Sequence, residues 1–452
     1  MAMAKKTIKF LFTACTLALG SVLMFLALDW RSPLLTSVRP WALAALVGVS
    51  LLLVCAQGWS LRASRPDQWL LRILNSLSLL MAVFALAATL ALECRFQWTR
   101  YEVLHADPIK LEYLGRHLIV GCRSIPEVRK LVSLKAISGV FLSGHNARDK
   151  GVKQLCEEIW ALQRIREEQG LPPLWITTDQ EGGVVSRLSP PLTRMPPLAE
   201  VVAGCSDDVS CERTVRQYAK SQARELASVG VNVNFAPVVD VNHRVVNPQD
   251  RFTRIYRRAI STDPGVVAQV AGWYCAELER AGIRCTLKHF PGLGRVHEDT
   301  HLSGASLSAS VPVLMATDWF PFRSLMSGDK ALVMLGHVYL TAIDSTQPAS
   351  ISPGVIAGLL RSHWQYDGLL ITDDFCMRSI YDSRSGMEDG AVQALNAGMD
   401  LILVSWDPDQ YYRVMYALLQ ASQHGLLDNE SLSRSDERLS RLSPHWPSSL
   451  CK

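Results

Sequence analysis

The chain lacks the features that mark several common functional classes. Its 452 residues carry 46 lysines and arginines against 42 aspartates and glutamates, a net charge of only +4. No basic stripe stands out, so the electrostatic footprint of a nucleic-acid binder is missing and no nucleic-acid partner is expected. Eleven cysteines are present, yet none falls in a CxxC pair or a Cys/His spacing that would hold zinc. Internal repeats and low-complexity tracts are missing too. Charge is also absent locally: residues 10–28, 40–57 and 73–92 contain no Asp, Glu, Lys or Arg.

Each of those three runs has about the length a bilayer-spanning helix needs. Trp30, Trp41, Trp59, Trp69 and Trp98 sit near the run ends, where amphipathic rings favour the membrane interface. Three crossings are the direct reading. Lys5, Lys6 and Lys9 precede the first run and Arg62, Arg65 and Arg72 lie between the second and third, whereas the loop between the first two holds only Arg31 and Arg39. Basic flanks stay inside, so the N-terminus is expected in the cytoplasm. Everything beyond about residue 94 then lies outside. The expected location is the inner (cell) membrane, multi-pass, with the following domain in the periplasm or exterior. Cys205 and Cys211 bracket a short polar loop that could close as a disulfide there. Cys275, Cys285 and Cys376 lie in apolar patterns and read as small core residues.

After a tether at 94–110 the pattern changes. Short aliphatic runs alternate with longer amphipathic stretches through a domain at 111–445, the signature of βα units on a parallel sheet. The runs are 117–120, 139–142, 174–178, 231–239, 285–289, 331–337, 368–372 and 400–404. Eight strands point to a TIM-type (β/α)8 barrel preceded by the membrane region at 1–93; a doubly wound open sheet is the alternative, because sequence does not show closure. In such barrels chemistry sits at the C-terminal strand ends. Here those ends read Asp179-Gln180-Glu181-Gly182-Gly183, Asp240, Lys288-His289, His337 and Asp373-Asp374. One acidic residue after a strand is usually a turn former or helix cap. Five polar strand ends on one rim are harder to assign to capping.

The densest stretch is 284–301, RCTLKHFPGLGRVHEDTH. It places a cationic pair at a strand end, turns through glycines and finishes on Asp299-Thr300-His301, where a carboxylate can orient an imidazole. The pattern resembles the KHFPGHGxxxxDSH signature of glycoside hydrolase family 3, in its β-N-acetylhexosaminidase branch. LLITDDFCM (369–377) is similar to that family's nucleophile segment. The resemblance implies that Asp373 attacks the anomeric carbon. Neighbouring strand residues point to opposite faces, so Asp374 is expected to cap or hold the loop. It further implies that His301, supported by Asp299, carries the proton. An imidazole titrates near neutrality and suits that task.

By the same resemblance, Asp179, Lys288, His289, Arg258 and His337 would bind the sugar, and no metal or organic cofactor is implied. Two positions depart from the family pattern: Val184 stands where Arg is common, and Leu293 where the signature has its second His. The implied activity is a retaining exo-β-N-acetylhexosaminidase acting on β-linked N-acetylglucosamine of cell-wall or chitin-type glycans. The alternatives are another family 3 exo-glycosidase such as a β-glucosidase, a glycoside phosphorylase, or a non-catalytic membrane-anchored sugar sensor.

Overall fold

The computed structural model describes residues 2–64, 68–328, 330–444 and 446, with side chains from residue 7 onward. The chain divides into two compact units, Met1–Glu102 and Val103–Lys452.

The first unit consists of three long helices, α1 (Ala2–Leu28), α2 (Arg39–Ala63) and α3 (Trp69–Leu104). All three are long and apolar enough to cross a membrane. Their outward faces are apolar: Phe25, Trp41, Leu52, Trp59 and Leu80 are all exposed. The interior mixes Leu23, Ala27, Leu46, Leu53, Ala82 and Ala85 with polar groups. Thr13 donates to Asn75 Oδ1 (3.0 Å), and Asn75 donates to Ser60 Oγ (2.9 Å). An apolar exterior around small and hydrogen-bonded residues is the arrangement a lipid environment favours. The segment expected as a tether is largely helical, because α3 continues to Leu104 and a short helix resumes at Pro108. Asp107 caps the latter, accepting from the amides of Ile109 and Lys110.

The second unit is the barrel. Its strands are β1 (Leu118–Gly121), β2 (Gly139–Leu142), β3 (Trp175–Thr178), β4 (Val233–Asn234), β5 (Arg284–Phe290), β6 (Leu332–Leu335), β7 (Leu370–Asp374) and β8 (Leu401–Val404). They close as a parallel ring in sequence order, β8 pairing with β1. Closure settles the choice between barrel and open sheet. Alternate residues fill the interior: Ile119, Phe141, Trp175, Val233, Leu332, Met334, Ile371, Leu401 and Leu403 form one buried cluster. Past Ile371 the β7 ladder shifts register, and Asp374 is bonded to the amides of Ser405 and Trp406 after β8.

Two differences from the sequence reading have local causes. The run at 231–239 pairs regularly only at Val233–Asn234, since Pro237 has no amide to extend the ladder. Cys275 and Cys285 are joined as a disulfide rather than packed as separate core thiols. Helix α4 (Pro264–Arg280) and the start of β5 bring their Cα atoms to 5.4 Å, within bonding reach. Cys205 and Cys211 are also joined, and Cys376 is a buried free thiol.

The ladder slips at two places, between Leu287 and Phe290 on β5 and between Ile371 and Asp374 on β7. Both irregularities lie at the C-terminal rim. Such bulges re-aim side chains, and here they fall on the two strands that carry Lys288-His289 and Asp373.

Candidate active site

The rim is built around buried charges. Asp179 follows β3, and the chain then folds into a small antiparallel hairpin, Gln180–Gly182 against Val185–Ser186. Gly182 adopts φ +94° with Tyr218 and the Pro196 carbonyl packed where a side chain would stand, so only glycine fits the turn. The hairpin sends Glu181 into the wall of the cleft. Lys288 Nζ, 2% exposed, lies 2.7 Å from Asp179 Oδ1 and 2.6 Å from Glu181 Oε1. Arg258 clasps the same Glu181 through Nε (2.9 Å) and Nη2 (2.7 Å) and donates to the Thr253 carbonyl through Nη1. Burial alone would raise the Glu181 carboxyl, but Arg258 and Lys288 outweigh it and hold the group well below the usual range.

His289 is fixed on both sides. Its Nδ1 is 2.7 Å from Asp240 Oδ2, and Arg258 Nη2 approaches its Nε2 at 3.3 Å. Arg258 can only donate, so His289 carries its proton on Nδ1 and gives it to Asp240. Asp240, fully buried, also accepts from the amides of His289 and Leu293. Leu293 is buried and packs beside Gly336. His337 is likewise fully buried, with Nδ1 2.7 Å from Ser350 Oγ and Nε2 3.0 Å from the Asp374 carbonyl. A sugar contact by either histidine would require one of these bonds to break.

Beyond β5 the chain passes Gly294, where the Val241 carbonyl leaves no space for a side chain, and reaches Asp299 and His301. Asp299 Oδ1 accepts from Thr253 Oγ1, from the His301 amide and from His301 Nδ1, each at 3.0 Å. Its Oδ2 accepts from the Phe252 amide at 3.0 Å. Burial opposes the charge, yet the bonds from His301 and Phe252 prevail and the Asp299 carboxyl is held far below its ordinary value. The His301 side chain is 41% exposed, and among the described residues no partner is bonded to its Nε2. The loop rests on the segment after β7, because Arg378 and Ser379 donate to the carbonyls of His301 (3.3 Å) and Thr300 (3.4 Å).

Asp373, at the end of β7, accepts from the Asp374 amide at 2.8 Å. Burial raises its carboxyl, but His289, His337 and His301 act in the other direction and the net shift is downward. The group thus stays an anion at neutral pH, the form in which a carboxylate is nucleophilic. Asp374 accepts from the amides of Cys376, Ser405 and Trp406 and from Ser405 Oγ, at 2.7–3.0 Å. Three of these four donors lie just after β8, so Asp374 ties that segment to the end of β7. Among the described residues no cluster of His, Cys, Asp or Glu is arranged to hold a metal.

All eight singled-out residues (Asp373, His301, Asp299, Asp179, Lys288, His289, Arg258 and His337) stand on the rim or in its wall. Sequence reasoning passed over Glu181, which joins Lys288 to Arg258, and over Thr253 and Phe252, which hold Asp299. It had no signal for Thr253 and Phe252, since both sit in a loop without a motif. The half-exposed Arg187 comes within 3.9 Å of Asp179, near the turn where Val184 replaces the family's usual Arg.

Residues 111–442 match the model of the glycosyl hydrolase family 3 N-terminal domain. The chain is 30% identical over 335 residues to the beta-hexosaminidase LpqI of Mycobacterium tuberculosis, covering 73% of this chain and 81% of that protein. It is 31% identical over 305 residues to a beta-hexosaminidase of Idiomarina loihiensis, covering 68% and 87%. A family 3 beta-N-acetylglucosaminidase structure from Paenibacillus superposes with a TM-score of 0.66 at 31% identity, over 74% of this chain and 61% of that one.

Proposed function

The chain belongs to glycosyl hydrolase family 3 and is a glycoside hydrolase, and from that premise we propose that it is a retaining exo-β-N-acetylhexosaminidase. It releases terminal N-acetylglucosamine from cell-wall or chitin-type glycans by double displacement. In the first step Asp373 attacks the anomeric carbon while His301 Nε2 gives its proton to the departing glycosidic oxygen. In the second, His301 takes a proton from water as that water displaces Asp373, which restores both groups. Asp299 fixes the imidazole so that Nε2, the free nitrogen, does the transfer. Asp179 and Lys288 meet the sugar hydroxyls. Arg258, His289 and His337 act from behind: Arg258 holds Glu181, His289 is set between Asp240 and Arg258, and His337 fixes the Asp374 carbonyl beside the nucleophile.

The observation that carries this reading is the docked Asp299–His301 pair, with one nitrogen spent on Asp299 and the other open. A general acid needs that arrangement, while a pure binding site has no use for it. The three apolar helices and the disulfides Cys205–Cys211 and Cys275–Cys285 support an outward-facing, membrane-anchored enzyme, since disulfides persist in oxidising compartments.

The test is a panel of p-nitrophenyl glycosides on the full chain in detergent, with and without phosphate. Hydrolysis of the N-acetylglucosaminide with little of the glucoside is expected, at a rate that phosphate leaves unchanged. Preference for the glucoside, a sugar-phosphate product, or binding of chitooligosaccharide without turnover would each replace the proposal with a different one.

A further inference from the structure

An exposed aromatic ring stands beside the proposed proton carrier. Phe252, 56% exposed, lies in the loop between β4 and the segment that carries Arg258. Its ring centre is 5.7 Å from that of His301, with the two planes tilted by 38°. Lone apolar side chains on a surface are common and need no explanation. This one differs in how firmly its backbone is fixed.

The Phe252 amide donates to Asp299 Oδ2 (3.0 Å), and the next residue, Thr253, donates from Oγ1 to Asp299 Oδ1 (3.0 Å). The Thr253 carbonyl is held in turn by Arg258 Nη1 (2.8 Å). A further tie joins the same two loops, from Asn247 Nδ2 to the His297 carbonyl (2.9 Å). Asp299, bonded to His301 Nδ1 as well, therefore sets the imidazole and the phenyl ring together. Ordering a loop in this way has an entropic cost, and burial of the phenylalanine does little to offset it, because more than half of the residue stays in water. What the order secures is an apolar face at a constant distance from the acid.

We propose that Phe252 is a substrate-binding residue of the leaving-group subsite, a platform for the C–H face of the sugar that departs. The inference deepens the proposed function and rests on its reading of His301 as proton carrier. A proton donor stands within about 3 Å of the oxygen it serves, so the glycosidic oxygen lies at His301 Nε2 and the sugar beyond it passes the ring that flanks the imidazole. A pyranose with equatorial hydroxyls leaves C–H groups on its two faces. Laid on an exposed phenyl ring, those groups and the ring leave water together. A methyl leaving group ends before it reaches the platform. Phe252 thus selects for a sugar, rather than a small alcohol, on the departing side of the scissile bond.

The experiment measures kcat/KM of the full chain in detergent on N,N′-diacetylchitobiose and on methyl β-N-acetylglucosaminide. Both have poor leaving groups and need the proton, so a misplaced His301 harms both, whereas loss of the platform harms the disaccharide alone. Phe252→Ala is expected to lose about tenfold on the disaccharide and no more than about twofold on the methyl glycoside. Phe252→Tyr keeps the ring and is expected within about twofold of the parent on both. Phe252→Leu, apolar but not flat, replaces the alanine variant if that one does not fold, with a loss of about threefold on the disaccharide. Equal losses on the two substrates, no loss on the disaccharide, or a tyrosine variant as impaired as the alanine one overturns the proposal. A parent that cleaves neither substrate refutes the proposed function, whereas a working parent with an indifferent alanine variant refutes the platform alone.

Discussion

Replacing Glu181 by Gln tests the charge arrangement of the wall most directly. The carboxylate, 7% exposed, is shared by Lys288 at 2.6 Å and by both forks of Arg258. An amide keeps the shape but removes the charge, leaving Asp179 as the remaining carboxylate on Lys288 and none on Arg258. Breaking a buried pair by neutralising one partner costs about 3–5 kcal/mol; the amide oxygen still accepts one bond, so about 2–4 kcal/mol is expected. With an unfolding entropy near 2 cal/mol/K per residue over a barrel of this size, that is a fall of roughly 3–6 °C in the apparent Tm. The sign with pH follows from the lowered carboxyl. Its stabilisation is complete above the ordinary glutamate value of 4.5 and is lost as pH falls from there through the folded-state value. The gap between parent and Glu181→Gln should therefore be constant from neutral pH to about pH 5 and shrink below it. Differential scanning fluorimetry of the full chain in one detergent, at one scan rate and several pH values, reads this. A Tm within about 1 °C of the parent at pH 7, or a gap that widens in acid, would refute the reasoning.

Asp373→Asn should lose nearly all turnover, at least about a thousandfold in kcat, while product binding measured by calorimetry persists. His301→Ala should lose at most about tenfold on p-nitrophenyl and about a hundredfold or more on methyl N-acetylglucosaminide, because only the poor leaving group needs the proton. Asp374→Ala removes four hydrogen bonds, three of them to the segment after β8; a fall of about 3 kcal/mol or more in stability is expected, seen as a lowered Tm with kcat depressed in parallel. Cys275→Ser should lower the Tm of non-reduced protein by a few degrees and abolish any effect of dithiothreitol assigned to that bond.

The barrel was legible because each strand is a buried aliphatic run bounded by polar residues, and the resemblance of 369–377 to the family's nucleophile segment already distinguished the roles proposed for Asp373 and Asp374. The motif at 284–301 carried its own local meaning, since Asp299 and His301 are two residues apart and their bond is short-range. What escaped is non-local. Glu181 meets Arg258 across 77 positions, and nothing in either neighbourhood announces the other. His289 and His337 looked like open donors in the one-dimensional chain, yet both ring nitrogens of each are occupied by groups from other elements. The pairing of Cys275 with Cys285 depended on where helix α4 ends relative to β5, a matter of packing rather than pattern. Val184 and Leu293, the departures from the family signature, also resolve differently in space: Leu293 is buried at 3% exposure and Val184 is half exposed.

The seat of the Thr300-His301 carbonyls on the Arg378 and Ser379 amides has a kinetic meaning. At 3.3 and 3.4 Å these are the long, weak kind of hydrogen bond, worth together about 1–2 kcal/mol. A latch of that strength taken alone opens on the order of several per cent of the time. In the proposed mechanism this loop carries the acid, and for it to swing clear the ties of Asp299 to the Phe252 amide and Thr253 Oγ1 must let go as well. Amide hydrogen exchange at Arg378 and Ser379 should be quick in the empty enzyme and slowed by bound product; strong protection without ligand would mean the loop is bolted and the cleft is entered another way.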